Sequence, residues 1–163
     1  MANTIATAYF AGGCFWGMEY GFSKLRGVRG VTTGFMGGSV KNPTYQEVYT
    51  DTTGHAETIR VEYDPSEITY EELTKFFFEL HDPTQVDGQG PDLGTRYRSE
   101  IFYTNEEQRA TAEGVMDILR GKGLRLATQL TPATDFYTAE DYHQHYYART
   151  GGEPYCHIRT KRF

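Results

Sequence analysis

Cysteine is nearly missing from this chain: its 163 residues include two, Cys14 and Cys156, near opposite ends. Two readings remain for so sparse a pair. It is a structural staple in an oxidising compartment, or a transient catalytic disulfide in a reducing one. Basic residues are outnumbered, 16 Lys and Arg against 22 Asp and Glu. The resulting net charge of −6 argues against a general nucleic-acid binder. No apolar run reaches membrane-spanning length. The opening "MANTIATAYFAGG" has neither the basic start nor the apolar stretch of a secretory signal, so a cytoplasmic location is expected. HExxH and CxxC patterns are missing, and His143 and His145, two apart, do not share a helical face; no metal site is predicted. Repeats, low-complexity tracts and linkers are missing as well, so residues 1–163 are expected to fold as one domain. Tryptophan occurs once, yet 13 Tyr and 10 Phe bring the aromatic content to 15%; most of these rings are expected in ordinary packing, some lining a pocket.

The pattern of apolar residues predicts strands interleaved with amphipathic helices. A strand over residues 6–10 enters Gly12-Gly13, and Phe15, Met18, Phe22 and Leu25 then follow helical spacing up to Gly27. "GVRGVTTGFMGG" reads as a strand leaving into a loop, with a turn at Asn42-Pro43. Ile59, Val61 and Tyr63 alternate as one buried face of a strand. Thr69 and Glu72 form a capping-box pair ahead of the stripe Leu73, Phe76, Phe77 and Leu80, which Pro83 closes. Thr104 and Glu107 are expected to repeat that start for Ala112, Val115, Met116 and Leu119. "SEIFY" and "LRLATQL" are predicted strands, and a last short helix is expected through "AEDYHQHYYA". The result is an α+β fold, helices packed on a mixed sheet, with two long loops of the kind that carry function.

Cys14 has the setting of a reactive thiol. Two glycines make a turn in which backbone must come close, and the cysteine stands where a helix begins, so the dipole and free N–H groups there are expected to favour a thiolate. A buried small apolar residue is the plainer alternative. Glu57, taken alone, reads as a solvated charge. Asp92 and Tyr97 add polar groups in a glycine-rich loop before a strand. His55 reads as a structural histidine beside Glu57.

In combination the motifs say more. "GGCFWG", "NPTYQEV", "GHAE", "HDPTQ", "GTRYRS" and "EDYHQHY" occur in this order from about Tyr9 to Tyr147. The chain resembles the A-type peptide-methionine sulfoxide reductases. That resemblance implies a ferredoxin-like mixed sheet with packed helices and an irregular C-terminal tail. It implies a thiol-dependent reduction of methionine S-sulfoxide, free or in proteins, with Cys14 attacking the sulfoxide sulfur and Glu57 as the acid. A sulfoxide oxygen leaves poorly until protonated, and burial would raise the Glu57 pKa enough to supply the proton near neutrality. By the same resemblance Tyr45 and Tyr97 hydrogen-bond the oxygen, Asp92 joins their network, and Phe15 and Trp16 form a slot for the S-methyl group. Cys156, carried by a mobile segment over about 148–163, resolves the Cys14 sulfenic acid to a disulfide, and His157, Arg159, Lys161 and Arg162 lend it positive charge. Thioredoxin or an equivalent dithiol then reduces it, with no cofactor, no nucleic acid or membrane partner, and a monomer doing the work. A cysteine hydrolase with His55 or His143 as base, and a non-catalytic binder of methionine-rich partners, are the competing expectations.

Overall fold

A computed structural model describes residues 4–140, 143, 144, 146, 150, 151 and 159–163. Its elements run β1 (Ala6–Gly12), α1 (Phe15–Ser23), β2 (Val28–Met36), α2 (Tyr45–Tyr49), β3 (Ala56–Tyr63), α3 (Tyr70–Leu80), β4 (Gly88–Gln89), β5 (Asp92–Leu93), a 3-10 turn (Thr95–Tyr97), β6 (Ser99–Tyr103), α4 (Glu106–Gly121), β7 (Gln129–Pro132) and β8 (Tyr137–Thr138). Six strands form the main sheet in the order β7-β6-β1-β3-β2-β8. Its centre, β6-β1-β3-β2, is antiparallel throughout and is built from two β-α-β units wound through one another, the ferredoxin-like arrangement. Strand β7 adds to β6 in parallel after α4, and β8 pairs with β2.

One face of the sheet carries α1 and α3. Phe10 of β1 lies beneath both, its ring 5.3 Å from Phe22 and 5.1 Å from Phe77. Gly12 and Gly21 let these layers close: a Cβ on Gly12 would come within 3.0 Å of Met18 and Phe77, and one on Gly21 within 2.6 Å of Leu80. The opposite face has a smaller cluster of Ala11, Met36, Ala56 and Phe102.

Local chemistry explains the boundaries. Thr69 accepts a hydrogen bond from the Glu72 amide and starts α3 as expected. Helix α4 starts one residue later than its Thr104 signal, on Asn105, whose side chain accepts from the Gln108 amide. Gln108 in turn accepts from the Thr104 amide and donates to the Thr7 carbonyl, so the competing pair is tied to β1 as well. "LRLATQL" yields strand only from Gln129, where pairing with β6 begins. Half of the last helix, expected through 139–148, lies outside the described residues. In the segment expected to be mobile, residues 159–163 dock on α3: Arg159 donates to Glu79 Oε1 at 2.9 and 2.7 Å, the Arg162 amide to Glu79 Oε2 at 3.1 Å, and Arg162 Nε to the Phe78 carbonyl at 2.7 Å. Arg159 and Arg162 are thus held by α3; Cys156 and His157, which they were expected to accompany, lie outside the described residues.

Candidate active site

Strand register brings the site together. Phe10 of β1 faces Ile59 of β3, so the end of β1 and the start of β3 share one edge of the sheet. Gly12 faces Ser99, which puts the start of β6, and Tyr97 just before it, at that same end. The chain leaves β1 through Gly13, at φ +96°, and reaches Cys14 as the residue that opens α1.

Glu57 lies on the face of β3 that carries Ile59, Val61 and Tyr63, and it is 1% exposed. The alternation of those three residues, continued two positions back, would have placed it inside rather than in solvent. Its Oε1 accepts the Phe15 amide at 3.1 Å. Its Oε2 is buried with no hydrogen-bond partner among the described residues. Burial pushes the carboxyl up to about 8, against the pull of the Phe15 N–H and of Arg96; Asp92 and Asp51 raise it further. At neutral pH the group is mostly protonated.

The same surroundings overturn the expectation of a thiolate at rest. Cys14 is half-buried and a free thiol. Burial, then the Glu57 charge, push its pKa far above the ordinary thiol value; the Trp16 and Gly17 amides oppose this and Asp92 adds to it. Two amides at a helix start do not outweigh lost water, and the nearby Asp92, joined by Glu57 once it ionises, adds to the cost of a thiolate. The resting site therefore holds two protons, one on sulfur and one on Glu57.

Tyr45 and Tyr97 complete the polar side. Tyr45 is the first residue of α2, which begins with a reciprocal pair: Thr44 Oγ1 accepts the Glu47 amide at 3.1 Å and Glu47 Oε1 accepts the Thr44 amide at 2.9 Å. Its own amide donates to Glu140 at 3.1 Å. Burial, then the Glu57 charge, raise its hydroxyl pKa, and Tyr97 and Cys14 also act on it. Tyr97 is pushed up to about 12, by burial and then Glu57, with Arg96 pulling the other way. Asp92, half-buried in β5, acts on Cys14, Glu57 and Tyr97 alike. The apolar side is a set of stacked rings. Trp16 lies 3.9 Å from Tyr146 with planes 10° apart, and donates from Nε1 to His143 Nδ1 at 3.1 Å. Phe15 is buried against Phe35, Tyr45 and His143.

Neither histidine is arranged as a base for Cys14. His55 accepts the Gly38 amide on Nδ1 at 3.0 Å and so donates from Nε2 to the Val40 carbonyl at 2.6 Å, a neutral ring that pins the loop ahead of β3. His143 Nδ1 is taken by Trp16. The arrangement is a thiol, two phenols and a neutral carboxylic acid with one oxygen unpartnered among the described residues, beside an aromatic wall. It suits reduction of a small, polar, oxygen-bearing sulfur group.

The peptide methionine sulfoxide reductase family model matches residues 6–163. The chain belongs to that family. Peptide methionine sulfoxide reductase MsrA of Nautilia profundicola is 46% identical over 149 residues, 91% of this chain and 86% of the relative. The structure of reduced Mxr1 from Saccharomyces cerevisiae superposes with a TM-score of 0.90 at 33% identity, covering 95% of this chain and 92% of Mxr1. Mxr1 has also been solved in complex with Trx2; that structure matches at TM-score 0.65 and 25% identity over 98% of this chain and 91% of Mxr1. The protein is a peptide-methionine (S)-S-oxide reductase, an oxidoreductase that returns methionine sulfoxide to methionine. Sequence reasoning found the residues around the sulfur and missed those that hold the reductase's site in shape. The Thr44–Glu47 box was visible as a T-x-x-E pattern. Arg96, Glu140 and Tyr146 fall inside the quoted motifs but were given no role, and Asp51 lies outside them, since each matters through a partner distant in the chain.

Proposed function

We propose that Cys14 is the nucleophile, Glu57 the acid and Cys156 the resolving thiol of this reductase. The observation that carries the reading is the buried Oε2 of a neutral Glu57, with no partner among the described residues, in a carboxyl coupled to the Cys14 sulfur. Glu57 gives its proton to the sulfoxide oxygen, held by the Tyr45 and Tyr97 hydroxyls, while Cys14 sulfur bonds to the methionine sulfur. The sulfur–oxygen bond breaks, and the oxygen leaves as water with the Glu57 proton and the thiol proton. The cationic sulfur pair left behind faces two carboxylates, Glu57 and Asp92, the charges that disfavoured the thiolate. Water returns to Cys14 sulfur, releasing methionine and a sulfenic acid and sending a proton back to Glu57. Phe15 and Trp16 hold the S-methyl group. Cys156 attacks the sulfenic acid, water leaves, and a Cys14–Cys156 disulfide forms. A dithiol protein of the thioredoxin type reduces it; the solved Mxr1–Trx2 complex of a relative supports that choice. The reductase works as one domain over 1–163, as a cytoplasmic monomer without a cofactor of its own.

Mass spectrometry after one equivalent of methionine S-sulfoxide, without reductant, tests the scheme. The expected result is methionine, loss of two hydrogens from the protein, and linked Cys14 and Cys156 peptides. Glu57→Gln should form methionine at least ~100-fold more slowly. Newly formed methionine with a Cys14 sulfenic acid, trapped by dimedone, beside a free Cys156 thiol would remove Cys156 as resolver.

A further inference from the structure

Asp51 and Arg96 make a contact that the reaction scheme does not use. Asp51 follows the last turn of α2 at φ +60°, a conformation that suits glycine. Its side chain is what the site gains from that strained backbone. Oδ1 accepts the Arg96 amide at 3.1 Å and the Thr95 hydroxyl at 3.5 Å, and Oδ2 accepts Arg96 Nη1. The facing loop is shaped for it: Gly94 has φ +128°, and a Cβ there would stand 2.4 Å from Asp51 Oδ2. So held, the guanidinium carbon lies 4.4 Å from the ring centroids of both Tyr49 and Tyr97, and its side chain is 11% exposed. Arg Nε is buried with no hydrogen-bond partner among the described residues, so the cation is kept in place by Asp51 and the rings.

We propose that Asp51 and Arg96 are a positioning pair that sets the pH range of the reductase: Asp51 fixes the guanidinium over Tyr97, and the fixed charge pair biases the proton that Glu57 donates. This rests on Glu57 being the acid. The Phe15 amide of α1 donates to Glu57, and the groups whose charges act on it are Cys14 at the start of α1, Tyr45 from α2, Asp51 after α2, Asp92 from β5, and Arg96 with Tyr97 from the 3-10 turn. Arg96 is the cation among them. Its charge favours carboxylate, and Asp51 opposes it. The two members of the pair therefore act on the same proton with opposite signs.

The test is single-turnover methionine formation as a function of pH. In wild type the rate falls on the alkaline side as Glu57 ionises. Arg96→Gln should move that inflection to higher pH, and Asp51→Asn to lower pH. Arg96→Lys, which keeps the charge, should return it toward wild type even if turnover is slower. Should the Asn variant fold poorly, Asp51→Gly removes the same charge and suits the backbone angle. Lower rates at every pH with the inflection unmoved would reduce the pair to a structural contact and overturn the proposal. If Glu57→Gln itself kept both rate and alkaline limb, the acid assignment would fall, and this inference with it.

Discussion

In the proposed scheme Cys14 is a nucleophile whose neighbours keep it quiet until substrate arrives. Its thiol is protonated at rest because burial outweighs two backbone amides, and once Glu57 ionises its charge holds the proton there more firmly. In a Cys156→Ser background, iodoacetamide should therefore alkylate Cys14 more slowly at pH 9 than an exposed thiol. Glu57→Gln should speed that alkylation by roughly tenfold, since removing one adjacent charge is worth on the order of one pKa unit. Equal rates would show that the carboxylate is not what restrains the sulfur. At this scale the sequence was informative where chemistry and local spacing coincide, as at Cys14 between its glycines and the first turn of α1. It was silent where the partner is remote. Nothing near Arg96 announces Asp51, 45 positions earlier, and nothing in "GHAE" says that Glu57 is sealed from water.

Elements were legible in proportion to their own periodicity. Helices α3 and α4 carry apolar stripes and were found, with an error of one residue at the α4 cap because Asn105 and Gln108 outcompeted Thr104 and Glu107. The five-residue α2 is too short for a stripe, and Asn42-Pro43 drew attention to a turn instead. Helix α1 begins on borrowed partners: Cys14 makes no side-chain cap, and Glu57 from β3 takes the first free amide. The docked tail was not foreseen either, because Glu79 looks like one more charge on an amphipathic helix. Burial would raise its pKa, but the Arg162 amide and the Arg159 bonds outweigh that and hold it below the usual carboxyl value. Glu79→Gln should lower stability by about 1–3 kcal/mol. It should also expose the bonds after Arg159 and Lys161 to trypsin. An unchanged melting temperature and digestion pattern would mean the tail is held by other contacts.

For the molecule as a whole, the α+β class and the strand-helix order could be read from pattern, because one face of each strand and helix is apolar. Register could not, and register is what draws β1, β3 and β6 to one edge and makes a site of scattered motifs. It also commits the fold to an energetic cost. Unfolded, Glu57 loses its proton in the ordinary carboxyl range, near 4.5; folded, it keeps it to about 8. Its contribution is thus fully present below 4.5 and is lost as pH rises through 8. Denaturant titrations at pH 5, 7 and 9 should find Glu57→Gln gaining on wild type as pH rises, by on the order of a few kcal/mol in total. A constant difference across the three would deny that the carboxyl carries this linkage.

The hydrogen bond from the Phe15 amide to Glu57 links that carboxyl to the architecture in a further way. A carboxylate accepts an amide more strongly than a neutral acid does. In the proposed scheme, when Glu57 releases its proton the first turn of α1 is clasped more firmly as Cys14, one residue away, bonds to substrate. The catalytic cycle is then also a cycle of stiffness: loosest while the site waits, tightest while the oxygen departs, and slack again once the proton returns.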